Sequence, residues 1–147
     1  MSDSELNYYT KKHLIYTMSA RFVKIEKLGK MINGGERTNF HYMGNIEGNN
    51  ISGVCRGIDY AEINNGLISV NVRESITTPL AGKIYIERKG YSILNNEPSD
   101  IIIVGSSYIA ETNSEDLLFI SDSDFKWEAK LNWNSENFSL ALYKLEI

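Results

Sequence analysis

A chain of 147 residues, 42% hydrophobic and 23% charged, has the size and balance of one globular domain, able to bury about two-thirds of its unfolded surface without disulfide or metal staples. A net charge of -4 without long runs argues against nucleic acid and an acidic membrane surface as partners, since both call for a basic patch. The lone Cys55 excludes an intramolecular disulfide, and no apolar run approaches the roughly 18 residues of a spanning helix.

The start Met1-Ser2-Asp3-Ser4-Glu5 is acidic where a secretory signal is basic and then apolar, so a cytoplasmic location is expected. The 18 Ile and 15 Asn against 2 Pro and 6 Ala point to an AT-rich, bacterial genome. Residues 1–11 read as a tail and 12–147 as a single domain, with no repeat or linker to divide it.

Almost every segment runs with period two and is rich in β-branched and aromatic residues. Lys12 to Leu28 is long for one strand. Its apolar set shifts from Leu14, Tyr16, Met18, Ala20 and Phe22 to Val23 and Ile25, which predicts a bulge or break near Phe22. Arg37 to Ile46 and Ile51 to Ile58 flank the turn Glu47-Gly48-Asn49-Asn50. Leu67 to Ile76 follows Asn64-Asn65-Gly66, and Thr77 to Gly82 leads into Lys83 to Ile93.

Asn95-Asn96-Glu97-Pro98 precedes Ile101 to Thr112, and Asn113 to Ile120 holds one helical turn or a short extra strand. Phe125, Trp127, Ala129, Leu131 and Trp133 alternate with polar residues, and Phe138 to Ile147 is the last run. About eight strands with short connections allow a sandwich or a closed barrel. The all-β, closed antiparallel barrel is the expected fold, because several strands are long and closure hides the edges.

The chemistry concentrates in two runs. Ile68, Val70, Val72 and Ile76 share one face of their strand, and Glu74 falls on that apolar face. If Ile76 faces Ile84, then Glu74 opposes Ile86, Val72 opposes Arg88, and Glu74 and Arg88 become diagonal neighbours. Inside a barrel the two would orient a ligand or move a proton; at the rim they would be solvated. On the other face the register pairs Arg73 with Glu87 as a surface ion pair.

Asp59 is either a turn former or a functional carboxylate, and His41 either an acid–base group or a structural imidazole. Trp127, Trp133 and Phe125 are core residues that could also line a cavity. Metal-ligand spacing, a nucleophile elbow and phosphate-binding glycine patterns are all missing, so neither metal nor cofactor is expected.

Through Gly44-Asn45-Ile46-Glu47-Gly48, Ile51-Ser52-Gly53 and Gly57-Ile58-Asp59-Tyr60, the chain resembles uncharacterised protein family 0311, also called domain of unknown function 3237. The likeness continues at Val72-Arg73, Thr78, Ile84-Tyr85-Ile86 and Gly90, and more weakly at Glu111-Thr112 and Tyr143-Lys144-Leu145, over residues 13–147. The family pattern has Gly-Gly at Gly44-Asn45, Asp-Trp at Asp59-Tyr60 and Asn at Arg88. The resemblance implies a lipocalin-like barrel with no established activity, and it draws attention to Asp59, Arg73 and Tyr85, where this chain matches the pattern.

Two functions follow as expectations. The first is a barrel that binds a small, partly apolar molecule, with Glu74, Arg88, Asp59, Arg73, Tyr85 and Trp127 as contact residues. The second is a cofactor-independent isomerase, cyclase or lyase with Asp59 or Glu74 as base and Tyr85 or His41 as acid. A barrel filled by its own side chains and serving as a structural module is a third, and a homodimer is compatible with each.

Overall fold

Eight antiparallel strands follow one another around a closed barrel: β1 (Lys11–Lys30), β2 (Glu36–Glu47), β3 (Ser52–Asn64), β4 (Leu67–Thr77), β5 (Lys83–Ile93), β6 (Asp100–Thr112), β7 (Lys126–Asn132) and β8 (Asn137–Glu146). The computed structural model describes residues 11–80, 82–93, 100–121, 125–132 and 135–146. Each strand pairs with its neighbours in sequence, and β1 pairs with β8 to close the ring, so no strand edge is left open. The expected Asn95–Pro98 turn, the Trp133 side chain and residues 1–10 of the tail lie outside the described residues.

Alternation along the strands decides what enters the barrel. On β4, Val70, Val72, Glu74 and Ile76 are buried while Arg73 and Ser75 are exposed. The phase change foreseen in β1 is a bulge between Phe22 and Lys24 against β2. A second shift, between Leu14 and Tyr16 against β8, escaped the sequence reading. It reverses the phase, so Leu14, grouped with the inward set, stands 57% exposed on the outer wall.

Between β6 and β7 the expected helical turn is a 3-10 helix, Glu115–Ile120. Its Leu117 and Ile120 are buried in the same core as Ile51, Ile76, Ile84 and Phe125. By the alternating course of the strands, this connection and the β4–β5 turn lie at the same end, and a Cβ on Gly82 would come within 3.0 Å of Leu117 Cδ1. The helix therefore covers that end, each buried Leu or Ile contributing about 1.5–3 kcal/mol. Toward the other end the lining becomes aromatic and only partly buried, with Phe22, Phe138, Leu131 and Ile68 packed against the core. Among the described residues no helix is long and apolar enough to cross a membrane.

Candidate functional site

Directly opposed residues of antiparallel strands share a face, so the register builds the site row by row. One inward row runs Tyr42, Gly57, Glu74, Ile86 across β2 to β5. The next runs Phe40, Asp59, Val72, Arg88, Ser107 across β2 to β6. The expected pairings of Ile76 with Ile84, Glu74 with Ile86, Val72 with Arg88 and Arg73 with Glu87 are all present.

Glu74 and Arg88, each 1% exposed, meet inside the barrel. Arg88 Nη1 donates to Glu74 Oε2 at 2.8 Å, and Nη2 donates to Glu74 Oε1 and to the Tyr42 hydroxyl oxygen, both at 3.1 Å. The Tyr42 hydroxyl in turn donates to Glu74 Oε1. Tyr42 reaches across because Gly57 stands between: a Cβ there would sit 2.5 Å from the Tyr42 oxygen. Burial lifts the Tyr42 phenol well above its ordinary range, and the Glu74 charge adds to the effect. Burial opposes the Arg88 charge, but Glu74, followed by Tyr42 and Tyr16, outweighs it and holds the guanidinium protonated.

This closed network alters the role expected of Glu74. Both its oxygens are occupied, and it does not line the cavity described below, so it holds Arg88 in place. Removing either partner of such a buried pair strands the other and costs roughly 3–5 kcal/mol.

Beyond Arg88 the interior opens into a small cavity of about 50 Å³. Arg88, Asp59 and Tyr42 supply its polar lining, and Trp127, Phe22 and Phe138 its aromatic wall. The Arg88 guanidinium carbon lies 5.6 Å from the centre of the Trp127 ring. The indole occupies the space left by Gly90, where a Cβ would fall 2.6 Å from Trp127 Cζ2. Tyr42 and Phe138 meet edge to face at 5.1 Å, and Phe22 lies 5.1 Å from Phe138 and 5.2 Å from Phe40.

Asp59 is no turn former. It sits within β3, and its Oδ1 accepts the Asn71 backbone N–H at 3.2 Å. Burial pushes its carboxyl up to about 7, against the pull of that hydrogen bond and of the Arg88 charge. Four buried side-chain atoms at or near Arg88, by contrast, have no hydrogen-bond partner: Arg88 Nε, Trp127 Nε1, Tyr16 Oη and Ser107 Oγ. Each such group costs about 1–3 kcal/mol when nothing satisfies it.

The structure separates the remaining candidates from this interior. Arg73 points outward, 3.9 Å from Glu87 Oε1, as the surface-pair reading required. Tyr85 is 37% exposed on the same outer wall, so neither Arg73 nor Tyr85 contacts the cavity. His41 is also outward, its Nε2 3.8 Å from Glu26 Oε1. Arg73, Tyr85 and His41 instead line an external groove of about 470 Å³ with Arg56 and Ile58, and Tyr42 and Glu74 also border that groove. Strand alternation is the reason: each is one residue removed from an inward position, at Val72, Ile86 and Tyr42.

Tyr42, Phe22 and Phe138 were missed as site residues. The signal was present for Tyr42, since a glycine opposite Glu74 in the next strand leaves an opening only a longer side chain can cross. Among the described residues no group of three or more His, Cys, Asp and Glu side chains gathers to hold a metal.

No family pattern matches the chain, and no curated protein sequence does. Solved structures are similar. A protein of unknown function from Clostridium acetobutylicum superimposes with a TM-score of 0.81 at 21% identity, covering 92% of this chain and 99% of that one. A β-barrel-like protein from Acinetobacter baumannii gives 0.77 at 18% identity, covering 92% and 96%. An enzyme from Penicillium herquei gives 0.64 at 12% identity, covering 91% and 94%. At these identities the likeness establishes the fold, a closed eight-stranded antiparallel β-barrel.

Proposed function

We propose that this barrel binds a small, partly apolar molecule in the cavity between Arg88, Asp59 and Trp127. The observation that carries the reading is the placement of two ionisable groups and an aromatic wall on one internal space, beside buried donors that lack partners. Glu74 supports the site from behind by fixing Arg88. At about 50 Å³ the cavity admits roughly three or four water-sized spheres, so the ligand is small unless Phe22, Phe138 and Leu131, all only partly buried, move aside. Native mass spectrometry of freshly purified protein is expected to show a retained small molecule that denaturation releases. An unliganded mass, with no thermal stabilisation by any small apolar compound, would remove the reading.

A second reading is favoured by Asp59 alone. A carboxyl pushed up to about 7 exchanges its proton near neutral pH, and Tyr42 and Arg88 face the same cavity, which suits cofactor-independent proton transfer in an isomerase, cyclase or lyase. The Penicillium herquei neighbour, described as an enzyme, shares the barrel. The compound released from the protein, returned to it in D2O, is expected to gain deuterium with wild type and not with Asp59→Asn. Equal labelling by both proteins would assign the exchange elsewhere. Membership of uncharacterised family 0311 belongs to the same proposal, supported by the block from Gly44 to Tyr60, whose Gly57 makes room for Tyr42 and whose Asp59 faces the cavity.

A further inference from the structure

Two of the orphaned atoms belong to residues that line the cavity, and they bear on what its occupant must offer. Arg88 spends Nη1 and Nη2 on Glu74 and Tyr42, which leaves Nε–H without a hydrogen bond of its own, although the Tyr16 hydroxyl also lies against the guanidinium. Trp127, 2% exposed, has its indole N–H in the same state. Arginine and tryptophan side chains carry donors and no acceptor, so both vacancies call for an acceptor. They belong to residues that line one cavity and stack on each other.

Charge narrows the class further. The Arg88 charge is already matched by Glu74 in a two-pronged pair, and Asp59 also lines the cavity. An anionic ligand would enter an apolar enclosure with no counter-charge left to it and a carboxyl as neighbour, which is unfavourable. A neutral carbonyl oxygen has two lone pairs, enough for both donors. The apolar lining from Val70, Val72 and Ile103 suits a hydrocarbon body.

We propose that the cavity takes a small neutral ketone or aldehyde, its carbonyl oxygen accepting the Nε–H of Arg88 and the indole N–H of Trp127. This rests on the binding reading above and names its ligand class. The test uses three probes that share a five-membered ring, cyclopentanone, cyclopentane and cyclopentanecarboxylate, which enter the cavity of about 50 Å³ with Phe22 and Phe138 moved aside, titrated into isotope-labelled full-length protein and followed by NMR. The Arg88 Nε–H, the Trp127 indole N–H and the methyl groups of Val70 and Val72 are read separately.

Cyclopentanone is expected to move both N–H signals and the methyls saturably, and to bind at least tenfold more tightly than cyclopentane. Trp127→Phe, which keeps an aromatic ring and loses the donor, is expected to shrink that preference several-fold. If cyclopentane moves the methyls as readily as the ketone while the N–H signals stay still, or if the carboxylate binds more tightly, the carbonyl assignment is overturned and the cavity remains a binding site. If no probe moves any methyl, the carbonyl assignment is overturned, while the binding reading falls only if the native mass is also unliganded.

Discussion

Asp59 is a single residue whose environment makes a measurable difference to the whole chain. A carboxyl with an ordinary value of 3.8 that rises to about 7 in the fold takes up its proton on folding. Its stabilising contribution is therefore full below about pH 4 and is lost as pH climbs through 7, where the buried carboxylate must be ionised. In urea unfolding, wild type is expected to lose ground to Asp59→Asn across that window by a few kcal/mol, at about 1.4 kcal/mol for each pH unit crossed, and to run parallel to it above pH 8. A difference that does not vary with pH would show that Asp59 titrates as an ordinary carboxyl. Asn is the appropriate replacement, because its side-chain oxygen still accepts the Asn71 N–H. Glu74 contrasts with Asp59: both are inward carboxylates on apolar faces, but Glu74 is bound by arginine and tyrosine while Asp59 faces space.

At the scale of the strands, the site depends on what glycines leave out. Gly57 lets the Tyr42 ring of β2 cross β3 to reach Glu74 on β4, and Gly90 lets Trp127 of β7 lie over β5. Gly57→Ala is expected to destabilise the protein by about 1–3 kcal/mol, since the added methyl meets Tyr42 Oη at 2.5 Å and Cζ at 2.6 Å and the ring is held in a packed network. Urea unfolding gives the stability, and the Tyr42 ring resonances show whether the contact with Glu74 is broken. An alanine variant as stable as wild type, with Tyr42 unmoved, would mean that the strands part at little cost. Sequence patterning revealed these strands and even the β4–β5 register, because a two-residue rhythm with a short turn leaves few alternatives. It did not reveal the β1 shift beside Leu14, where a single bulge residue reverses the phase without any compositional mark.

On the scale of the whole molecule, barrel closure brings residues distant in sequence to one space. Phe22 and Phe138, on strands at opposite ends of the chain, come together because β1 pairs with β8. The 3-10 helix covers one end, so the polar network sits between a packed aliphatic end and an aromatic one.

By itself the sequence determined the all-β class, the approximate number of strands and the sharing of one face by Glu74 and Arg88, because all three follow from local alternation and short connections; whether that face meets the interior or the rim is not set by alternation. Only the tertiary structure decided that Glu74 is locked while Asp59 faces a cavity, and that Arg73, Tyr85 and His41 stand on the outer wall. Those outcomes depend on curvature and cross-barrel distance, which bring together residues tens of positions apart and which no two-residue rhythm encodes.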